Sequence, residues 1–427
     1  MTESRQELRC SLCLVAFDAI PLIFPEASGS IGGAETRAIL MARLLSADPQ
    51  VRVVVVVRDS RPRPIRMLYG FTVITRVDRL FRIRRFVSEH VTVLKAFPCL
   101  RIKSWSPGLI WKIPLLFLAR LFRGSNSIED FHWLSKETNC DVYGCLGVSE
   151  RTAQIFDAVK SQHRRTLLFV ASNADLDRSY GTLPGFVGPH GDSGIRCADA
   201  IRSANVIVCQ NDVQQKMLKE HFGRDSHCFP NPFDPDDWRK KLQRPVALDA
   251  AIPSRFVLWV GRSDRHHKRP DLLLQVARSC SEVLFVMIMN THDESVATAI
   301  RNQRPSNVTI IERVAFDDMP SYFRQSAMFV STGSKEYEGF PNVFLQAAAT
   351  AVPILSLEAD PGFISKHQAG VVCHGDVEQL ASEVKSLWAD ISRAKRLGEN
   401  GQQYLSRCHS AAEARAKLLE ILEDALR

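Results

Sequence analysis

The sequence predicts an α/β protein made of two consecutive doubly wound units. Three observations predict this fold class. Apolar, strand-like runs alternate with helical patterns. The strands are almost continuously apolar, as in VRVVVVV (51–57), which is typical of parallel strands covered on both faces. The alternation stops once, at FPNPFDPDDW (229–238), and then resumes. With 427 residues and 48.0 kDa, the chain is long enough for two such domains.

The sequence of the first half of the chain predicts a Rossmann-like domain over residues 1–230. It begins with a strand, CSLCLVAF (10–17), a glycine-containing loop, SGSIGGAE (28–35), and a helix, TRAILMARLLSAD (36–48), before the strand at 51–57. Further strand-like runs follow: DVYGCLGV (141–148), RTLLFVAS (165–172) and ANVIVCQ (204–210). The prolines and turn-forming residues from 229 to about Ser254 predict the connection between domains.

The second half predicts another Rossmann-like domain over residues 231–405. Predicted strands are RFVLWVG (255–261), VLFVMIM (283–289), NVTIIERV (307–314), AMFVSTG (327–333), VPILSLE (352–358) and AGVVCHG (369–375). Helices are predicted at RPDLLLQVARSC (269–280), MPSYFRQS (319–326) and from Val377 to the end, where a C-terminal helix over 406–427 could pack back on the first domain. Because ligands of such sheets bind at the carboxyl ends of strands, we expect a cleft between the domains.

Composition and the chain start indicate a cytoplasmic setting. The eleven cysteines are scattered, several of them in strand-like runs, which favours reduced thiols over a disulfide framework. Cys10 and Cys13 should point to opposite faces of a strand, so they are a poor metal site. The start MTESRQELR lacks the apolar core of a secretory signal, and LIWKIPLLFLARLF (109–122) is too short and interrupted for a membrane span.

The net charge of +8 is unevenly spread. The segment RVDRLFRIRRF (76–86) has five arginines against one aspartate: Arg76, Arg79, Arg82, Arg84 and Arg85 against Asp78. Two interpretations stay open. The Arg79–Arg85 region, with the apolar 109–122 segment, could lie on an anionic membrane surface, or it could be a solvated helix face beside a core helix. No nucleic-acid-binding signature accompanies the charge, so no nucleic-acid partner is expected.

Two loops that follow predicted strands could bind an anion. Gly32 and Gly33 lie at a predicted helix N-terminus, where free backbone N–H groups can bind an anion or a sugar. The pattern is not GxGxxG, and Arg58 rather than an acidic residue ends the next strand, which argues against a dehydrogenase. In WVGRSDRHHKRPDLLL (259–274), Arg262 and Lys268 provide two cations suited to a diphosphate, and a basic surface loop is the alternative. The adjacent His266 and His267 are interpreted as polar lining or surface.

The third loop is the start of SKEYEGFPNVFLQAAATAVP (334–353). Glu338 precedes a predicted helix whose first turn includes Gly339 and Pro341. The glycine allows close backbone approach, and free N–H groups can bind oxygen atoms of a ligand. Gln346 lies about two turns further, on roughly the same side. One elongated ligand could therefore contact both polar side chains.

At these residues the chain resembles the GT-B-fold retaining glycosyltransferases of family 4, also called glycosyl transferases group 1. GGAE (32–35) resembles the family's glycine-rich loop, VGR with KRPDLL resembles its diphosphate-binding segment, and EGFPNVFLQAAATAVPIL resembles its E-x7-E segment. The resemblance implies two Rossmann-like domains facing a central cleft, a nucleotide-sugar donor, a saccharide or lipid-linked acceptor, and no catalytic metal or other cofactor. It assigns catalysis to Arg262, Lys268 and Glu338. The implied donor-binding residues are Gly32, Gly33, Gly339, Phe340, Pro341, Asn342, Val343 and Gln346.

The chain departs from the family pattern at two places. Gln346 stands where the family usually has a second glutamate for the ribose, so a charge-assisted hydrogen bond is lost. Where many members have a histidine near the sugar, LLFVASNADLD offers Asn173 and Asp175, which with Glu35 are the acceptor-side candidates. The Asp-x-Asp pairs at 175–177 and 234–236 are interpreted as turn residues. The alternatives are a nucleotide-sugar epimerase of the same fold, which needs an acid/base pair in the cleft, and a non-catalytic binding subunit.

Overall fold

The structure is a computed structural model that describes residues 9–24, 32–78, 80–93, 100–102, 104–123, 130–189, 191–244, 248 and 252–427. Two parallel sheets with helices on both faces organise the chain. The predicted fold class, two doubly wound Rossmann-like domains, is confirmed.

The first sheet has eight strands in the order β10-β9-β8-β7-β1-β2-β4-β3. All neighbours are parallel except the edge strand β3, which is antiparallel to β4. The strands are β1 (Cys10–Val15), β2 (Val51–Asp59), β3 (Arg66–Leu68), β4 (Phe71–Val77), β7 (Val142–Leu146), β8 (Arg165–Phe169), β9 (Val206–Cys209) and β10 (His227–Cys228). A separate antiparallel hairpin contains β5 (Val91–Val93) and β6 (Leu100–Ile102).

The apolar character of these strands follows from burial on both faces. In β1, Cys10 and Leu12 belong to the core on one side of the sheet, whereas Cys13 belongs to the core on the other. The two cysteines of the Cys-x-x-Cys pattern therefore point apart, as strand geometry requires. Burial raises the pKa of the Cys13 thiol well above its ordinary value.

Helices cover both faces of the first sheet. They are α1 (Ile20–Ile23), α2 (Gly33–Ser46), α3 (Phe81–His90), α4 (Leu109–Arg123), α5 (His132–Thr138), α6 (Glu150–Lys160), α7 (Gly194–Ser203) and α8 (Asp212–Phe222), with a 3-10 turn at Asn173–Leu176. On α2 the fully buried Arg37 donates to the backbone oxygens of Val170 (2.7 Å) and Phe229 (3.0 Å). This arginine joins α2 to the carboxyl side of β8 and to the start of the interdomain connection.

The second sheet has six parallel strands in the order β13-β12-β11-β14-β15-β16. They are β11 (Phe256–Arg262), β12 (Phe285–Asn290), β13 (Val308–Ile311), β14 (Ser326–Ser331), β15 (Ile354–Ser356) and β16 (Gly370–Val372). The helices of this half are α9 (Pro235–Leu242), α10 (Pro270–Ser279), α11 (Glu294–Gln303), α12 (Met319–Gln325), α13 (Asn342–Ala349), α14 (Val377–Ala389), α15 (Ile391–Cys408) and α16 (Ala411–Leu426).

The last helix, α16, packs on the first domain rather than on the second. Leu418, Ile421 and Leu422 are buried in the core between α2 and the first sheet. The chain thus crosses between domains twice, once near residue 230 and once between α15 and α16. The two domains are therefore joined covalently at these two crossings.

Part of the segment predicted as connection is instead a helix of the second domain. Asp234 caps α9 by accepting the N–H of Asp237 at 2.9 Å, and Pro235 is its first residue. Trp238 is buried against Phe323 in the second core. The proline-rich sequence was misleading because proline both breaks helices and starts them.

The other predicted strands and helices are present with shifts of a few residues at their ends. The strands β3, β4 and β10 and the β5–β6 hairpin were not predicted. All of these strands except β4 have only two or three residues, which carry too little periodicity. Within the described part of the chain, no helix is both long and apolar enough to cross a membrane.

Candidate active site

The loop after β11 brings several cations to the carboxyl end of the second sheet. Asp264 organises this loop because its carboxylate accepts the backbone N–H groups of His266 (2.9 Å) and His267 (2.8 Å). Arg262 lies 3.0 Å from Nδ1 of His267 and 3.5 Å from Asp264. The pKa of the Asp264 carboxyl is lowered, since these hydrogen bonds and the Arg262 charge outweigh the effect of burial. The loop therefore presents a preorganised cationic surface.

Glu338 is the buried anion at the centre of this surface. Its carboxylate is 7% exposed, forms an ion pair with Lys268, and lies 3.2 Å from Nε2 of His267. Burial by itself would raise the pKa of this carboxyl, but the charge of Lys268 and the hydrogen bond to His267 lower it to about 2. Glu338 is thus ionised at neutral pH and orients Lys268.

Hydrogen bonds fasten the cationic loop to the strand that leads to Glu338. Thr332 donates to the backbone oxygen of Lys268 (2.7 Å) and accepts from the indole of Trp259 (3.0 Å). Arg269 donates to the Thr332 backbone oxygen (2.7 Å) and pairs with Glu358 (2.6 Å). Hydrogen bonds and an ion pair therefore join the loops after three strands, β11, β14 and β15, around the site.

The segment from Gly339 to Gln346 follows Glu338 directly. The helix α13 begins at Asn342, so Gly339 and Pro341 precede it rather than forming its first turn, because Pro341 is extended (ψ 121°) and caps the helix. The ring of Phe340 points into the second core and stacks on Phe363 at 5.9 Å. Its side chain is thus structural, and only its backbone can face a ligand.

Val343 and Gln346 lie on α13 itself. Val343 packs partly buried against the second core. Gln346 is 7% exposed, and no described residue forms a hydrogen bond with its side-chain amide. The amide is therefore available to a ligand that reaches the second turn of the helix.

Carboxamide side chains of the first domain and the connection hold the segment 335–342. Asn211 donates to the Gly339 backbone oxygen (2.8 Å), and Asn231 donates to that of Phe340 (2.7 Å). Asn173 donates to the backbone oxygen of Lys335 (2.7 Å). We call Asn173, Gln210, Asn211, Gln214 and Asn231 the amide cluster.

The amide cluster is bonded internally as well. Gln210 donates to the Asn231 side chain (2.7 Å) and accepts from Gln214 (3.1 Å), which also donates to Asn173 (3.1 Å). A Cβ on Gly339 would lie 2.0 Å from the Gln210 side-chain oxygen, so only glycine fits this approach. The first domain thus sets the position of the loop that carries Glu338.

The glycine-rich turn of the first domain lies at the same interface. The backbone oxygen of Gly33 accepts from the Asn342 side chain at 3.4 Å, and Gly32 is the N-cap of α2. Burial raises the pKa of the Glu35 carboxyl and nearby Asp18 adds to this, whereas backbone hydrogen bonds and the charge of Arg262 oppose it. Arg262 and Glu35, on different domains, are therefore within electrostatic reach of each other.

A polar pocket opens beside Glu35 at the carboxyl ends of β1 and β7. It is lined by polar and apolar side chains of five segments, including Asp18, Glu35, Ser149 and Arg151. Of the acceptor-side candidates, only Glu35 lines this pocket. Asn173 belongs to the amide cluster. Asp175 caps its own turn, accepting the N–H groups of Ala171 (2.8 Å) and Ser172 (3.1 Å).

The structure brings together Arg262, Lys268, Glu338 and the segment 339–342, with Gly33 and Glu35 opposite. His267, which the sequence predicted as polar lining or surface, contacts both Arg262 and Glu338. The amide cluster except Asn173 was not predicted. The signal for the cluster was the concentration of Asn and Gln directly after β9, where a doubly wound sheet places its ligand contacts. His267 could have been recognised as a site residue only from the turn that Asp264 stabilises.

The two Asp-x-Asp pairs have structural partners. Asp175 caps the 3-10 turn, Asp234 caps α9 and contacts Arg43 at 3.3 Å, and Asp236 pairs with Arg239. Among the described residues, no group of three or more His, Cys, Asp or Glu side chains could hold a metal ion.

Comparison with known proteins finds one family model that matches the part of the chain around this site. Residues 254–390 match the model of glycosyl transferases group 1. The matched range contains the cationic loop, Glu338 and α13. No curated protein matches the chain significantly in sequence.

Solved structures with the same fold span nearly the whole chain. A trehalose-6-phosphate synthase described for glycosyl transfer with retention aligns with a TM-score of 0.65 at 8% identity, covering 96% of this chain and 98% of its own. HepE from Anabaena, solved with UDP-glucose, aligns with a TM-score of 0.62 at 13% identity, covering 97% and 100%. A Listeria monocytogenes protein described as a putative UDP-N-acetylglucosamine 2-epimerase aligns at 0.53 and 12% identity, covering 97% and 96%. At these identities the likeness shows the GT-B fold.

Proposed function

We propose that this protein is a retaining glycosyltransferase that moves a sugar from a nucleotide-diphosphate sugar to an acceptor hydroxyl. The observation that carries the proposal is the convergence of Arg262, His267 and Lys268 on the buried Glu338 carboxylate, facing the N-terminus of α2 across the domain interface. The family match over residues 254–390 and the GT-B neighbours support the same reaction class.

Each part of the site has a role in this reaction. Negative charge grows on the diphosphate as its bond to the sugar breaks, and Arg262 and Lys268 stabilise that charge. Glu338 orients Lys268 by their ion pair, and the backbone of Gly339 to Val343 binds sugar hydroxyls and phosphate oxygens. The departing phosphate assists the incoming hydroxyl on the same face of the sugar. No metal ion or further cofactor takes part in the proposed reaction.

The acceptor enters from the first domain. The pocket beside Glu35 opens at the carboxyl ends of β1 and β7, within electrostatic reach of Arg262. Its mixed polar lining suits a saccharide, and a lipid-linked saccharide fits a protein that contacts an anionic membrane through the Arg79–Arg85 region. We propose a cytoplasmic protein at the inner face of the membrane, acting in cell-surface polysaccharide or glycolipid assembly.

Screening labelled nucleotide sugars with and without membrane extract tests the reaction. Donor consumption that depends on the acceptor, with an anomeric configuration that matches the donor, is the expected result. A donor isomerised without an acceptor would instead identify an epimerase, and binding without turnover a non-catalytic subunit. Lys268→Met serves as the matched inactive control.

A further inference from the structure

Helix α4 exposes its apolar side. Five large apolar residues of α4 are exposed: Ile110 (66%), Trp111 (55%), Leu115 (37%), Phe117 (65%) and Leu118 (52%). At 100° per residue these positions fall on one side of the helix. The only charged residue among positions 109–118, Lys112, points elsewhere and lies over the ring of Phe86 on α3, 3.0 Å from its centroid. The helix is therefore apolar on its exposed side as well as on the side that carries the buried Leu109 and the partly buried Ile113 and Leu116.

This finding corrects one sequence-based alternative. The segment 109–122 is not a core helix beside a solvated basic face, because only Leu109 of its residues up to Ala119 is fully buried. Trp105, four residues before the helix, is also 65% exposed. A contiguous patch of this kind on a protein surface marks an interaction site.

The chain around α4 is strongly basic. Residues 61–123 contain fourteen Lys and Arg against two Asp and Glu, so the segment has a net charge of +12. The rest of the chain contains 41 basic and 45 acidic residues, so all of the excess positive charge resides here. Arg61, Arg66 and Arg82 are exposed, whereas Arg84 pairs with Asp78. Arg79 lies outside the described residues, as does the side chain of Arg85.

We propose that the apolar face of α4, together with Trp105, inserts into the interfacial region of an anionic lipid bilayer. A second copy of the chain is disfavoured as the occupant, because self-association through this face would bring two segments of charge +12 together. An anionic bilayer provides an apolar layer for the helix and negative headgroups for the surrounding arginines. Tryptophan is enriched at that depth.

This inference rests on the proposed function, because a lipid-linked acceptor is the reason for membrane docking, and it extends that function. A lipid-linked acceptor stays in the bilayer, and α4 belongs to the domain that carries the pocket beside Glu35. Docking by α4 would bring this acceptor-side domain to the surface where such a substrate resides. Vesicle binding requires no nucleotide sugar, so failure to bind leaves the transferase proposal standing.

The test is co-sedimentation of the full chain with vesicles of phosphatidylcholine alone or with 30% phosphatidylglycerol. We expect wild type to bind the mixed vesicles, and Ile110→Ser/Phe117→Ser to lose at least ten-fold in affinity. The matched control is Ile195→Ser/Ile391→Ser, which alters two equally exposed isoleucines elsewhere (55% and 64%) and should bind like wild type. Substituting serine for Arg82, Arg84 and Arg85 should lower affinity by up to about five-fold per residue.

Specific outcomes would overturn the inference. These are absence of binding to the mixed vesicles, equal binding to phosphatidylcholine alone, or equal binding by Ile110→Ser/Phe117→Ser. A dimer that this variant converts to monomers with unchanged vesicle binding would identify a second copy as the occupant. Brominated lipids should quench the tryptophan fluorescence of the wild-type protein, and they should quench that of Trp111→Phe less. If they quench neither protein, the insertion is refuted, and this test remains valid even if Ile110→Ser/Phe117→Ser misfolds.

Discussion

The ion pair between Lys268 and Glu338 predicts that one substitution lowers both stability and turnover. The pKa of the Glu338 carboxyl falls from an ordinary 4.5 to about 2 in the folded protein. This lowering corresponds to about 3 kcal/mol of folding stability at neutral pH. The charge of Lys268 is the largest influence that lowers this pKa, so Lys268→Met should reduce the free energy of unfolding by about 3 kcal/mol because it leaves a buried carboxylate without its ion-pair partner.

A double substitution separates stability from catalysis. Lys268→Met/Glu338→Gln removes both charges, so most of the lost stability should return, since a buried amide costs less than an unpaired carboxylate. Turnover should stay at least about 100-fold below wild type, because the cation that stabilises the departing diphosphate is still missing. The two quantities are measured by urea unfolding at pH 7.5 and by nucleotide release from the donor.

A lysine outside the site provides the control. Lys241 lies on α9 rather than in the cationic loop, has a similarly buried side chain, and pairs with Asp237 (2.7 Å) and Asp317 (3.0 Å). Lys241→Met should leave turnover unchanged. Wild-type turnover in the double variant would refute the diphosphate role of Lys268, and undiminished stability in Lys268→Met would refute the buried ion pair.

Three further predictions follow from the same site. Gly339→Ala should reduce kcat strongly in a folded protein, because its Cβ would lie 2.0 Å from the Gln210 oxygen; a normal kcat would show that the amide cluster does not position the loop. Gln346→Glu should strengthen nucleoside diphosphate-sugar binding about ten-fold through charge-assisted hydrogen bonds to the ribose, measured by calorimetry, and unchanged affinity would remove Gln346 from the donor site. Because the pKa of Glu338 is depressed, the ionised carboxylate stabilises the fold fully above about pH 4.5, and this stabilisation is lost as the pH falls towards 2. Glu338→Gln should therefore flatten the acid limb of the plot of melting temperature against pH. An unaltered limb would contradict this.

The sequence by itself determined the fold class and the order of most elements. Near-continuous apolar strands such as Val51–Asp59 can only be buried on both faces, and the alternation with helices leaves a doubly wound sheet as the economical solution. It also predicted that Arg262, Lys268 and Glu338 lie close together, because residues directly after parallel strands converge at one edge of a sheet. These inferences depend on local periodicity, which a single sequence carries.

Tertiary structure alone decided the contacts between segments far apart in the chain. Asn211 meets Gly339 and Asn231 meets Phe340 across more than 100 residues, and no local pattern marks such partners. The same holds for the exposed side of α4. The sequence pattern of an apolar helix is the same whether or not the core covers it, because burial is set by what packs on the helix. Sequence periodicity defines a helix face, and only the folded chain decides what that face meets.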